Sequence, residues 1–326
     1  MIMFFNYAIL PSIMTLSLMS LFFTDLILIW LILEITNFLF ICAMNTSMNN
    51  KKMIFFYFMI QIMASFIIMF SIIINTIISN NNNIITLLLI AALMMKLSIP
   101  PLHLWLPLIS KFLPWNVLLI LLTLQKIIPF YFMSLIYLHL YILYLLIILC
   151  SILPPYMMLN MTNFKMLMSY SSINQSSWMI LLIYMKNTIW FKYFMFYSTI
   201  MFSLFTIMHM SKLTMSLNYF KSHFKFNLLF SILMFNMSGL PPFSFFYMKW
   251  FSMFIFLKSS NMLIILLLMM LSSLMLLYIY VNMMINMFFI NKMKSKLINF
   301  NFPILTEKST FIYFMTLFFS SIILII

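Results

Sequence analysis

The chain has 326 residues, of which 66% are hydrophobic, 19% aromatic and only 6% charged. Soluble domains carry about 25% charged residues, and no water-soluble fold hides this much apolar surface. A transmembrane helix needs about 20 apolar residues, so a chain of this length has room for about eleven spans. The composition therefore excludes a soluble enzyme, a nucleic-acid-binding protein and a disordered chain.

The sequence also lacks the patterns that are typical of nucleotide, metal and haem sites. The single glycine argues against a glycine-rich nucleotide loop, because such loops need several positions of close backbone approach. Cys42 and Cys150 both lie in apolar runs and build neither a disulfide framework nor a cysteine-ligated metal site. The four histidines form no pair of the kind that ligates haem on facing helices. We expect no metal or cofactor on this chain.

The amino-acid usage points to an AT-rich gene. Residues whose codons begin with G are scarce, whereas methionine occurs 38 times. Animal mitochondrial codes read an additional AT-rich codon as methionine, which favours a mitochondrial gene. The first lysine is Lys51, so the start of the chain resembles neither a signal peptide nor a transit peptide.

Apolar runs between polar residues predict eleven helices in one integral membrane domain, 1–326. In chain order they lie near 2–20, 24–44, 53–78, 84–110, 115–133, 135–152, 163–184, 188–210, 227–257, 261–289 and 309–326. Pro100-Pro101 is expected to split the fourth helix, Pro129 to disturb the fifth, and the segment from Gly239 to Pro241-Pro242 to split the ninth. The fold class is thus all-α and polytopic, with two discontinuous helices that face the protein interior.

Lysine counting predicts the orientation. Eleven lysines fall in loops after even-numbered helices: Lys51, Lys52, Lys111, Lys165, Lys212, Lys221, Lys225, Lys292, Lys294, Lys296 and Lys308. Three fall after odd-numbered helices: Lys186, Lys192 and Lys258. The N-terminus should therefore lie on the electrically negative side of the membrane and the C-terminus opposite.

Four charged residues lie inside apolar helices, where a charge costs several kcal/mol and is functional by default: Glu34, Lys96, Lys126 and Lys249. Lys96 is about thirteen residues past Asn83, which places it roughly 20 Å into a core about 30 Å thick. Its natural partner is Glu34. The alternatives are a structural ion pair for Glu34 and Lys96, a paired and immobile Lys126, and a Lys249 that reaches the interface beside Trp250.

Further polar residues accompany these four. A stripe in the seventh helix contains Ser169, Ser171, Ser172, Asn174, Gln175, Ser176 and Ser177. It either holds ordered water between ionisable groups or joins helices by hydrogen bonds. His103 follows the Pro100-Pro101 break and either extends a proton path or is a passive hydrogen-bonded histidine. His139 is read as a core histidine, and Asp25 as a solvated residue near a helix end.

Five motifs together resemble a known family: Leu33-Glu34-Ile35, Lys96 with Pro101-Leu102-His103-Leu104-Trp105, Gln125-Lys126-Ile127-Ile128-Pro129, Ser171-Ser172-Ile173-Asn174, and Gly239-Leu240-Pro241-Pro242-Phe243 with Lys249-Trp250. In this order and spacing they are similar to the antiporter-like subunit 2 family of mitochondrial NADH:ubiquinone oxidoreductase, respiratory complex I. The similarity spans about residues 30–250, and eleven helices fit the shortened animal form.

The resemblance implies a membrane-arm subunit that translocates protons while NADH, FMN, iron–sulfur clusters and ubiquinone are handled in other subunits. Glu34 resembles the acid of the paired site, Lys96 its partner, Lys126 the central relay lysine and Lys249 the lysine of the second broken helix. Relatives often have a histidine shortly after Ser-Ser-Ile, where this chain has Asn174-Gln175. The implied partners are neighbouring antiporter-like and small membrane subunits and phospholipids of the mitochondrial inner membrane, with the N-terminus in the matrix.

Three other functions remain open. A subunit of a multisubunit cation/proton antiporter shares these motifs, although the codon bias favours complex I. A free-standing secondary transporter needs a substrate pocket that the sequence does not indicate. A membrane scaffold that has lost pumping is the third, and it differs from a pump by lacking a continuous hydrated polar line through Glu34, Lys96, Lys126 and Lys249.

Overall fold

A computed structural model describes residues 8–77, 83–136, 139–185, 188–210, 224–241, 243–259 and 263–294. Regular structure within these ranges is helical and includes no strand, which confirms the all-α class. The described α-helices are α1 (Leu10–Met19), α2 (Leu26–Ser47), α3 (Lys51–Ile77), α4 (Asn83–Leu97), α5 (Trp105–Ser110), α6 (Trp115–Leu122), α7 (Leu124–Leu135), α8 (Leu140–Met158), α9 (Phe164–Tyr184), α10 (Ile189–Met210), α11 (Phe224–Ser238), α12 (Ser244–Ser259) and α13 (Leu263–Lys294).

Six segments in the described ranges are long and apolar enough to cross a membrane. They are Leu26–Ser47, Lys51–Ile77, Trp115–Leu135, Leu140–Met158, Ile189–His209 and Leu263–Ile285. Four shorter apolar segments are Leu10–Phe22, Asn83–Leu97, Leu228–Ser238 and Ser244–Leu257. The predicted helix 309–326 lies outside the described residues, so the number of eleven spans stays a prediction.

Large apolar side chains are exposed along these helices. On α3, Phe55 is 61% exposed and Phe66 is 68% exposed. A helix that presents apolar residues both to its neighbours and to its surroundings is typical of a membrane span, because lipid replaces water on the outer side.

The chain divides into two compact units, Met1–Cys150 and Ser151–Ile326, and each is described by itself. In the first unit α7 contacts α1, α2, α4 and α6, and α3 packs between α2 and α4. In the second unit α9 contacts α10, α12 and α13, while α11 contacts α10, α12 and α13. The helices that carry Lys126 and Gln175 are therefore both surrounded by other helices.

Helix α4 ends in a Schellman motif. The N–H of Ser98 donates to the Met95 carbonyl at 3.3 Å, and the N–H of Ile99 donates to the Met94 carbonyl at 2.9 Å. Ser98 has φ 56°, the left-handed conformation that this motif requires. The backbone thus leaves the helix just before Pro100, where the sequence predicts a break.

Helix α11 ends in the same motif. The N–H of Gly239 donates to the Asn236 carbonyl at 3.0 Å, and the N–H of Leu240 donates to the Phe235 carbonyl at 3.3 Å. Gly239 has φ 80°. The next helix begins at Ser244. The helices α4 and α11 therefore end with the same backbone motif.

Prolines at two places lie inside helices. Pro129 is within α7, and the interruption of the predicted fifth helix falls instead at Thr123, with φ −117° and ψ −84°. Proline has no N–H to donate to the carbonyl four residues earlier, here that of Gln125, which lies two residues after Thr123. Pro154 and Pro155 are likewise inside α8, which ends at Met158 and not near residue 152 as predicted.

Candidate functional site

The first unit contains a buried ion pair. Lys96 lies in the last turn of α4, and its Nζ donates to Glu34 Oε1 of α2 at 2.8 Å. The Lys96 side chain is 2% exposed and that of Glu34 is 30% exposed. The structure thus brings together the acid and the lysine that the sequence pairs, and the helix C-terminus adds a partial negative charge beside the ammonium.

Lys126 shares a cavity with Lys96. It lies in the first turn of α7, is buried, and its backbone N–H donates to the Thr123 carbonyl at 2.9 Å. The cavity is also lined by Asn37, Tyr57, Gln61 and Gln125. The space in which a water centre fits is about 10 Å³, which is room for about one water molecule.

Three amides of this cavity are functional candidates that the sequence alone does not indicate. Asn37 is 6% exposed, and within the described residues its Nδ2 has no hydrogen-bond partner. Gln61 is 4% exposed, and Gln125 Nε2 donates to the Thr36 carbonyl at 3.2 Å. One sequence signal could have found the first of them: Asn37 is three residues after Glu34, so both lie on one face of α2.

Polar contacts also hold the segment between α4 and α5. Trp105 Nε1 donates to the Met95 carbonyl at 3.0 Å, which joins the two helices. His103 is buried, with Nδ1 at 3.3 Å from the Pro101 carbonyl oxygen. Pro100 is buried and Pro101 is exposed. These groups follow directly on the last turn of α4, which carries Lys96.

Two other residues differ from their sequence interpretation, and a third agrees with it. The sequence places Lys165 in a loop, but it lies in the first turn of α9 and is 6% exposed, because the helix begins at Phe164. His139 precedes α8 and is half-buried, so it is not the core histidine that the sequence predicts; its Nε2 lies 3.0 Å from Asn83 Oδ1. Asp25 is exposed, as predicted.

The polar stripe of α9 is buried in the second unit. The hydroxyls of Ser171, Ser172 and Ser177 donate to carbonyls of their own helix, at 2.8, 2.6 and 2.6 Å. Gln175 is fully buried, and its Oε1 accepts a 2.8 Å hydrogen bond from the Tyr193 hydroxyl of α10. Within the described residues Gln175 Nε2 and both polar atoms of Asn174 have no partner. The amides, not the serines, are thus the polar groups available to water.

Lys249 folds back onto the end of α11. Its Nζ donates to the Ser238 carbonyl at 2.9 Å and lies 5.3 Å from the centre of the Phe245 ring. The residue is 4% exposed, whereas the neighbouring Trp250 is 59% exposed. The amine therefore points inward.

One side chain, that of Asn236, links the end of α11 to the start of α12. Asn236 Oδ1 accepts hydrogen bonds from the Ser244 hydroxyl and the Phe245 N–H, both at 3.1 Å. Pro241 is exposed, and Pro242 lies outside the described residues. Asn236 thereby caps the first turn of α12 from the preceding helix.

The candidate residues divide between the two units. Glu34, Lys96 and Lys126 lie in the first unit and share one polar cluster, while Gln175 and Lys249 lie in the second. In the part of the chain that the structure describes, no three His, Cys, Asp or Glu side chains gather as a metal site requires. The expectation that this chain binds no cofactor stays a prediction.

Comparison with known proteins gives one family match. The family described as NADH:quinone oxidoreductase/Mrp antiporter, TM, matches residues 23–276. The chain is 31% identical over 217 residues to NADH-ubiquinone oxidoreductase chain 2 of Anopheles gambiae, covering 62% of this chain and 60% of that one. It is 33% identical over 167 residues to the Locusta migratoria chain of the same name, covering 49% and 48%. The matches thus span about half to three fifths of these relatives.

Solved structures share the fold. A chain of respiratory complex I from Thermus thermophilus matches with a TM-score of 0.80 at 17% identity, covering 95% of this chain and 75% of that one. A chain of the Mrp complex from Dietzia sp. DQ12-45-1b matches with a TM-score of 0.73 at 15% identity, covering 86% and 60%. At these identities the similarity establishes the antiporter-like arrangement of helices.

Proposed function

Since the chain belongs to the NADH:quinone oxidoreductase/Mrp antiporter transmembrane family, we propose that it is an antiporter-like membrane-arm subunit of mitochondrial respiratory complex I. In this proposal it translocates protons through Glu34, Lys96, Lys126 and Lys249, while NADH oxidation and quinone reduction take place in other subunits. Its partners are neighbouring antiporter-like and small membrane subunits and the phospholipids of the inner membrane.

The cavity between Lys96 and Lys126 is the observation that carries the proposal. Two ammonium groups on one small cavity repel each other strongly at low dielectric, so the site holds one shared proton more readily than two. Glu34 binds the charged form of Lys96 at 2.8 Å. When that attraction weakens, the Lys96 ammonium gives a proton to a water in the cavity, and the water gives one of its own protons to the neutral amine of Lys126.

The helix ends fit interrupted membrane spans. Helix α4 has 15 residues, a length of about 22 Å, which is shorter than the hydrocarbon core of about 30 Å. We propose that α4 with α5, and α11 with α12, each form one interrupted span whose break lies inside the protein. Irregular backbone at membrane depth is tolerated where it is buried or lines a cavity. With the six long apolar segments, α1, α9 and the helix that the sequence predicts at 309–326, these two interrupted spans make eleven, with the N-terminus in the matrix.

A Lys96→Met variant of the assembled complex tests the proposal in sealed membranes. The substitution keeps approximate volume and removes the proton site, so we expect fewer protons pumped per electron. Lys192→Met is the matched control, because Lys192 is exposed and lies outside the cavity. An unchanged ratio in Lys96→Met would contradict the relay.

A subunit of a multisubunit cation/proton antiporter is the second candidate, since a chain of an Mrp complex shares the fold. The two functions differ in what drives the proton. Proton movement that requires a sodium gradient and continues without NADH would support the antiporter. Proton movement that follows NADH oxidation and does not depend on sodium supports complex I.

A further inference from the structure

The single glycine of the chain lies against the amine of Lys249. We infer that Gly239 is a positioning residue, whose missing side chain leaves room for an ammonium site built from the Ser238 carbonyl and the Phe245 ring. The inference rests on the proposed function, in which Lys249 holds a transferred proton.

The space at Gly239 is occupied by the end of the lysine. A Cβ on Gly239 would lie 3.1 Å from both Cδ and Nζ of Lys249 and 3.4 Å from its Cε. The 3.1 Å distances are tighter than ordinary van der Waals contact, so the end of the lysine would have to shift by a few tenths of an ångström. Its hydrogen bond to the Ser238 carbonyl, at 2.9 Å, is the interaction that such a shift lengthens.

Backbone conformation favours a glycine at this position, and the contact with Lys249 is a second reason for it. Ser98 occupies the equivalent position of the Schellman motif that ends α4, with φ 56°, and it carries a side chain. A residue other than glycine is therefore accepted at one helix end of this protein. Gly239 differs from Ser98 in its larger φ of 80° and in the lysine packed upon it.

The ammonium site contains an acceptor, a partial negative charge and an aromatic face. The Ser238 carbonyl is at the C-terminus of α11, where the helix dipole is negative. The Phe245 ring lies within the distance of a cation–π contact, with its centre 5.3 Å from Nζ. Asn236 holds the backbone that carries this ring by accepting the Phe245 N–H. Among the residues that the structure describes, the site thus supplies partners for the ammonium without a carboxylate.

Four variants of the assembled complex test this inference: Gly239→Ala, Gly239→Asn, Lys249→Ala and the double variant Gly239→Ala/Lys249→Ala. Asparagine accepts the left-handed conformation better than alanine but carries a Cβ. We expect Gly239→Ala and Gly239→Asn to lower the proton-to-electron ratio to the value of Lys249→Ala. In the Lys249→Ala background, Gly239→Ala should cause no further fall, because the group through which it acts is already absent.

The position of the amine provides a readout that does not depend on pumping. A high-resolution structure of the complex with Gly239→Asn should show the distance from Lys249 Nζ to the Ser238 carbonyl oxygen lengthened from 2.9 Å by a few tenths of an ångström, toward the limit of a hydrogen bond. An unchanged distance would overturn the inference. So would a wild-type ratio in Gly239→Asn beside a lowered ratio in Lys249→Ala, since glycine would then serve the backbone alone.

Two remaining outcomes also support or overturn parts of this inference. If neither Gly239 variant assembles, recovery of assembly in the double variant supports the clash with Lys249, and continued failure overturns it. If Lys249→Ala pumps at the wild-type ratio, the proposed role of Lys249 fails, whereas the displaced amine still supports Gly239 as its positioning residue.

Discussion

The Glu34–Lys96 pair places two charged groups together inside an apolar part of the protein. Each charge is expensive at low dielectric, and the pair offsets that cost only while both members are present. Glu34 keeps 30% of its side chain exposed, so the cost of removing its partner is smaller than for a fully enclosed pair. The pair therefore stabilises the packing of α2 against α4, and in the proposed relay it also holds the proton that Lys96 passes on.

Neutralising one member should destabilise the protein more than neutralising both. Lys96→Met leaves a carboxylate without its ammonium, and we expect a loss of up to about 3 kcal/mol. In Glu34→Gln/Lys96→Met the unpaired charge is absent, so thermal stability of the complex should recover although pumping does not. Thermal unfolding of both variants measures this. Equal melting temperatures for the single and double variants would contradict the charge argument.

Asn37 provides the polar group that the cavity needs for water. Asn37→Leu keeps a similar shape but replaces the amide with apolar surface beside Lys96 and Lys126. Losing one hydrogen bond to the transferring water should slow proton transfer about tenfold, equivalent to about 1.4 kcal/mol. Pumping rates of the assembled complex measure the effect. A wild-type rate in Asn37→Leu would remove Asn37 from the path.

At the scale of the helices, the sequence predicts which segments are helical better than it predicts where each helix begins and ends. The residues that end α4 and α11 were predictable, because Pro100-Pro101 and Gly239 are strong interrupters of helix. The break at Thr123 was not, because no glycine or proline marks that position. Similarly, Asn236 caps a helix that begins eight residues later, a contact that spacing along one helix does not reveal.

Asn236 should stabilise the start of α12. Asn236→Ala removes the acceptor of the Ser244 hydroxyl and the Phe245 N–H, and loss of such a cap costs about 1–2 kcal/mol. Asn282→Ala is the control, because Asn282 is exposed on α13. We expect a lower melting temperature of the complex for Asn236→Ala alone. If both variants melt together, the cap contributes nothing.

At the scale of the whole molecule, the charge distribution and the all-α class could be read from the sequence, whereas the polar interior could not. Lysine asymmetry follows from the sequence directly. The pairing of Glu34 with Lys96 could be inferred from scarcity, because the chain has only three acidic residues. The burial of Lys165 and the cavity amides depends on how helices turn and pack, which apolar periodicity does not specify when nearly every residue is apolar.

Orientation is testable with exposed lysines. Lys51 and Lys111 belong to the larger lysine set, although Lys51 is the first residue of α3 and not in a loop as predicted. Lys192 belongs to the opposite set and lies in the first turn of α10, also not in a loop; all three are exposed. In sealed mitochondria, a membrane-impermeant amine reagent added from the intermembrane space should label Lys192 and leave Lys51 and Lys111 unmodified. Opened membranes provide the control in which all three react. Labelling of Lys51 in sealed mitochondria would reverse the orientation.

The proton-to-electron ratio of a Lys126→Met complex tests the central claim most directly. Lys126 lines the cavity with Lys96, and methionine keeps its approximate volume while removing the amine. With the assembled complex reconstituted in sealed vesicles, the account predicts fewer protons pumped per electron, with slower NADH oxidation if the steps are tightly coupled. A Lys126→Met complex with the wild-type rate and the wild-type ratio would contradict it and show that this subunit is a scaffold.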